Sequence, residues 1–140
     1  MIVSAFMGLN TDELIEENKG NISVPDTHQY LVWGGWPDRF VDEVIEAHEE
    51  GRVVLCPALV DVLKELFNRG YHVNVVYPSM DSQEHYLNSV DVLPAVVRKE
   101  LSSMAGWVRT LNDVSTLKGH NKVCVGTPCH VPTVAKGFYK

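Results

Sequence analysis

Residues 52–78 read as strand, helix and strand in quick succession: RVVLCP, ALVDVLKELFNRG, YHVNVVYP. The two outer runs are apolar without alternation, which is the pattern of strands buried on both faces. Between them Leu59, Val62, Leu63, Leu66 and Phe67 recur at helical spacing and are expected to face inward, and Gly70 supplies a C-terminal stop. Doubly buried strands that alternate with helices imply a parallel sheet covered on both sides, a three-layer α/β domain.

The rest of the chain extends this pattern. IVSAF (2–6) reads as another buried strand, and Gly8 and Asn10 mark the turn after it. Asn10 is a good N-cap, Glu13 completes a capping box, and Leu14 and Ile15 face inward before Asn18 and Gly20 end a short helix. NISVPD (21–26) is a weaker strand stopped by Pro25. HQYLVWGGWPDRF, with two glycines and two tryptophans, reads as an irregular loop that either packs or functions, and Pro37 opens the next helix. That helix carries Phe40, Val41, Val44, Ile45 and Ala47 on one side and closes at Gly51. A short polar helix is expected over 81–88. A longer one over 93–111 has the stripe Leu93, Val96, Val97, Leu101, Met104, Val108 and Leu111, with Arg98 and Arg109 sharing another face. KVCVG (122–126) looks like a last strand. No repeat, low-complexity stretch or linker divides the chain, so 1–140 is expected to be one domain.

Charge is unevenly placed. Residues 1–51 hold eleven acidic and two basic side chains, while 52–140 hold seven acidic and ten basic. The acidic half argues against general nucleic-acid binding, and an anionic ligand should meet the later half, where Arg69, Arg98, Lys99, Arg109, Lys118 and Lys122 lie. The alternative is solubility charge on exposed helix faces. With no run of eighteen apolar residues, no signal-peptide pattern and an odd cysteine count of three, the expectation is a soluble cytoplasmic protein without a membrane partner.

In an open α/β sheet an anion binds beyond the carboxyl ends of the strands, at a helix start. The first loop occupies that place. Laid over residues 5–12, the phosphate-loop pattern G-x-x-x-x-G-K-[ST] meets Ala5 for the first glycine, Asn10 for the second, Thr11 for the lysine and Asp12 for the hydroxyl. Asn10 tolerates the turn. Thr11 brings no positive charge, and Asp12 brings a negative one.

SAFMGLNTDELIEEN, VPDTH and RVVLCPALVDVLKELFNRGYHVNVVYPSMDSQEHYL together resemble a small family of phage and bacterial P-loop proteins related to nucleoside-phosphate kinases, over roughly residues 2–90. The resemblance implies a P-loop kinase-like fold. Of the family's loop, Phe6 and Gly8 remain; Asp26 stands where an acidic residue contacts the acceptor nucleoside; Tyr77, Pro78, Asp81 and Glu84 match a Tyr-Pro strand end and acidic helix. The arginines that clamp phosphate in the family's lid are replaced by YLNSVDVL. With loop lysine and lid arginines both missing, phosphoryl transfer loses its main sources of charge stabilisation unless Arg98 or Arg109 is recruited.

Other chemistry is thinner. His120, Cys124, Cys129 and His130 form H-x3-C-x4-C-H, but Cys124 lies within an apparently buried strand and paired knuckles are missing, so no metal is expected. Asp26 and His28 either form an acid–base pair or belong to an ordinary turn. Tyr30, Trp33 and Trp36 stack on a ligand, staple the loop to the core or form an interface hot spot. The expected ligand-binding residues are therefore Gly8, Asn10, Thr11, Asp26, His28, Trp33, Trp36, Arg98 and Arg109. The expected role is that of a non-catalytic or weakly catalytic P-loop kinase-like phage accessory protein, without a cofactor, that binds a nucleotide-like molecule or a host protein. Two alternatives stay open: an active phosphotransferase with an altered loop, and an interaction module whose acidic face docks a basic partner.

Overall fold

In a computed structural model of the chain, residues 1–6, 9–90, 92–113, 121–125 and 131 are described. Among the described residues five strands form one sheet, β1 Ile2–Ala5, β2 Ile22–Ser23, β3 Val53–Pro57, β4 Asn74–Pro78 and β5 Asn121–Val125, and six helices accompany them, α1 Asp12–Glu17, α2 Thr27–Trp33, α3 Asp38–Glu49, α4 Val60–Asn68, α5 Met80–Ser89 and α6 Pro94–Asp113. The strand order is β2-β3-β1-β4-β5 and every pairing is parallel, with Val3 opposite Leu55 on one side and Asn74 on the other. The chain is thus an α/β domain with a parallel sheet, as its alternating pattern predicts. No helix among the described residues is long and apolar enough to cross a membrane.

Each inner strand is buried on both faces because successive side chains point to opposite sides. Ile2, Val54, Cys56, Val73 and Val75 join Phe40, Val41 and Val44 of α3 and Val62, Leu63 and Leu66 of α4 in one core. Val3, Ala5, Leu55 and Val76 meet Leu14 of α1 and Val131 on the other face. Two buried polar side chains stitch the centre together, since Ser4 Oγ donates to the Pro57 carbonyl at 3.1 Å and Asn74 Nδ2 donates to the Ile2 carbonyl at 3.1 Å. Their groups are therefore paired where water cannot reach them.

Several sequence expectations need correction. The stretch after Pro25 is not a loop but α2, followed by a turn in which Gly34 and Gly35 take φ of 94° and 99°. Helical spacing did not expose α2 because its apolar residues Leu31, Val32 and Trp33 are consecutive and lie outside. Leu59 is the N-cap of α4 and 42% exposed rather than inward. In α6 Val97 and Met104 are buried, but Val96, and Leu93 just before the helix, are exposed, so the start of the stripe is not covered. Cys124 is exposed because β5 is an edge strand. Gly8, Lys118, His120, Cys129 and His130 lie outside the described residues.

Candidate ligand cleft

The first loop leaves β1 at Ala5, and the Phe6 amide donates to the Val76 carbonyl at 2.9 Å, holding the chain against β4 for one more residue. Asn10 then accepts the Asp12 amide through Oδ1 at 3.0 Å, and α1 begins. The helix cap sits at Thr11, whose side chain makes no capping bond, so the boundary is one residue later than the capping-box pattern places it. Asn10 still occupies one of the donors that a phosphate would need. Asp12 and Glu13 in the first turn add negative charge beside it.

Beyond the carboxyl ends of β1, β2 and β3 lies a cleft of about 300 Å³ lined by Ala5, Phe6, Leu9, Thr11, Val24, Pro25, Thr27, Leu55, Cys56 and Pro57. Its position follows from topology. α1 packs on one face of the sheet, while α4 and the Trp107 region of α6 pack on the other, so β1 sends its chain to the opposite face from its neighbours and a crevice opens at its end. Among the described residues the lining holds two threonine side chains and one thiol but no charged group. A second chamber of about 190 Å³ shares Phe6 and Pro57 with the first and is completed by Ala58, Leu59, Gln83, Glu100, Ser103, Met104 and Trp107.

Phe6, which lines both chambers, belongs to an aromatic cluster. Trp107 stands edge-on to Phe6 at 5.0 Å and to Tyr77 at 5.5 Å, and its indole N–H donates to the Ala58 carbonyl at 2.7 Å. That bond satisfies the one polar atom of a large ring and fixes its orientation. Cys56 is buried at the cleft wall, and that burial pushes its thiol up to about 12, so it stays protonated at neutral pH. Burial also raises the Tyr77 hydroxyl above its ordinary range. Among the described residues Glu100 is the one charged side chain lining either chamber, which is a poor endowment for acid–base work. No cluster of three or more histidine, cysteine, aspartate or glutamate side chains placed to hold a metal occurs among the described residues.

The expected site residues separate. Thr11 lines the first chamber and Asn10 lies immediately beside it, exposed. Asp26 instead caps α2, accepting the His28 amide at 3.0 Å, so the bond joining these two residues runs to the His28 backbone and not to its imidazole. Both are exposed, outside the lining. Trp36 packs half-buried against the core, its ring 4.9 Å from Phe40 and its indole donating to Asp61. Trp33 is 84% exposed. Arg98 and Arg109 are exposed, two residues before and two residues after the Glu100, Ser103, Met104, Trp107 face of α6, and so on its far side from the second chamber.

The pattern reading missed Phe6, Leu55, Cys56, Trp107 and the residues around Pro25 as cleft lining. Trp107 alone carried a signal, as a large amphipathic ring on an otherwise aliphatic helical stripe. No protein-family model, curated protein or solved structure matches the chain.

Proposed function

We propose that the chain is a P-loop kinase-like protein that binds the uncharged part of a nucleotide-like ligand, a base or nucleoside, in the cleft and does not transfer phosphoryl groups. The observation that carries this reading is the first chamber's lining, which among the described residues has apolar walls and two threonines but no charge, beneath a helix that opens with Asp12 and Glu13. Phosphoryl transfer is mainly charge stabilisation by lysine, arginine and magnesium. Arg98 and Arg109 lie on the side of α6 away from the second chamber, and neither is among the described residues that line the first. A planar, neutral ring instead suits an apolar slot with a few polar contacts to fix its orientation. A role as a phage accessory protein that sequesters such a molecule rests on the sequence resemblance.

Mass spectrometry of small molecules released on denaturing the protein, with calorimetric titration of nucleosides and of ATP, tests the reading. Expected are nucleoside binding that is insensitive to salt, little ATP affinity and no ATP or GTP hydrolysis. The double substitution Asn10→Gly, Thr11→Lys is expected to leave the protein inactive, because restoring one of two missing phosphate clamps restores no unit. Magnesium-dependent turnover by the unaltered protein would overturn the proposal.

A further inference from the structure

The second chamber differs in character from the first. Among the described residues its floor is Ala58 and Met104, both buried, and its mouth is Leu59, Glu100 and Ser103, all exposed. It opens beside Pro57, the end of β3, in the region where parallel sheets bind their ligands. Protein interiors leave few voids larger than a water molecule, so a chamber of about 190 Å³ is not ordinary loose packing. Trp107 is held by its bond to the Ala58 carbonyl and by its edge contacts with Phe6 and Tyr77. One wall is therefore fixed before any ligand arrives.

Leu59 points the same way. It is the N-cap of α4 and makes no capping bond, in a position where serine, threonine, aspartate or asparagine would accept a free amide. It is also 42% exposed, so burial in the core does not account for a leucine there. A place in the wall of a binding chamber does.

Size and chemistry define the occupant. An apolar cavity of about 150 Å³ holds a benzene ring, whereas pockets for larger ligands run from about 300 Å³ upward, so this chamber takes one ring and not a nucleoside. Glu100, as a carboxylate, only accepts hydrogen bonds, and among the described residues it is in no ion pair. An amine would gain a charge-assisted bond from it, and a carboxylate or phosphate would be repelled. Arg98 and Arg109 lie on the far side of α6, but Lys99, four residues before Ser103, flanks the mouth. That lysine defines the competing occupant, an anionic ring.

We propose that the second chamber binds a small amphiphilic amine, a single ring bearing an ammonium group, with the ring against Trp107 and Met104 and the ammonium at Glu100. The two chambers share Phe6 and Pro57, but this site does not rest on nucleoside binding in the first.

Phenethylamine, 2-phenylethanol and phenylacetate share a ring and differ in the polar group, and each is titrated into the full chain by calorimetry. Phenethylamine is expected to bind most tightly, 2-phenylethanol about fivefold more weakly, the size of an exposed ion pair, and phenylacetate not at all. Glu100→Gln replaces an exposed charge with an amide of the same shape, so the melting temperature should hold. It should weaken phenethylamine about fivefold and leave 2-phenylethanol unchanged, a split that general damage to the fold would not produce. Leu59→Ser should weaken both ligands while the melting temperature holds or rises, because serine supplies the missing cap. Phenylacetate binding as tightly as phenethylamine would overturn the proposal, as would an amine affinity indifferent to Glu100→Gln, or no binding of any of the three.

Discussion

Trp33 and Trp36 stand three positions apart in two different environments. Trp36 donates its indole N–H to Asp61 and rests on Phe40, so truncating it removes packing from the larger core and leaves Asp61 without that donor. For a half-buried ring, Trp36→Ala is expected to cost about 2–3 kcal/mol, somewhat below the range for fully buried tryptophan. Trp33 has most of its surface in water, and Trp33→Ala should change stability by no more than about 0.5 kcal/mol. Urea unfolding of both variants checks this pair. A large loss from Trp33→Ala would mean that the ring packs onto the protein in solution.

At the scale of elements, α2 depends on its cap more than on its packing. Asp26→Ala is expected to destabilise it by about 1 kcal/mol and to speed hydrogen exchange of the amides from His28 to Trp33 selectively. Protection unchanged across those amides would refute the capping role. The same helix shows what pattern reading can and cannot recover. α3 and α4 were legible because Phe40, Val41, Val44 and Val62, Leu63, Leu66 repeat at the helical period and are all buried. α2 was not, because only Tyr30 and Thr27 turn inward and its remaining apolar residues follow no burial rule. The location of the cleft was legible from alternation alone, since crevices form at carboxyl ends of parallel strands. Its lining was not. Val24, Leu55 and Ala5 meet only once the strand order is known, and Trp107 joins from a helix far along the chain. Asp26 illustrates a different ambiguity: an acid at a strand end also serves as a helix cap, and here its carboxylate accepts the His28 amide.

For the whole molecule, pH should act through the end of the sheet opposite the cleft. His48 Nδ1, near the last turn of α3, is buried without a hydrogen-bond partner among the described residues, and its ring lies edge-on to Tyr71 at 5.8 Å. Burial holds the imidazole below its ordinary 6.5, the Met1 ammonium adds to this, and Glu49 opposes it. The unfolded chain therefore binds more protons just below pH 6.5, so this contribution is full above that value and is lost as pH falls toward the folded pKa. The Met1 amino group, also lowered by burial, acts with the same sign nearer its ordinary 8.0. His48→Phe keeps a ring against Tyr71 and removes the titration, so it should flatten the acid side of the stability profile while leaving the region near pH 8 unchanged. Urea midpoints across pH 5–8 provide the comparison, and an unchanged acid slope would rule out His48 as the cause.

The central position of β1 also has a consequence for synthesis. Ile2 and Val3 pair with Val54 and Leu55 on one side, and Val3 meets Asn74 on the other. A ribosome adds about 5–20 residues each second, so β1 leaves it seconds before either neighbour exists. During that interval its apolar side chains and both its edges are open to whatever is nearby, and chains stalled before Val53 should aggregate or recruit chaperones, whereas chains long enough to release β4 can close the sheet around the strand that was made first.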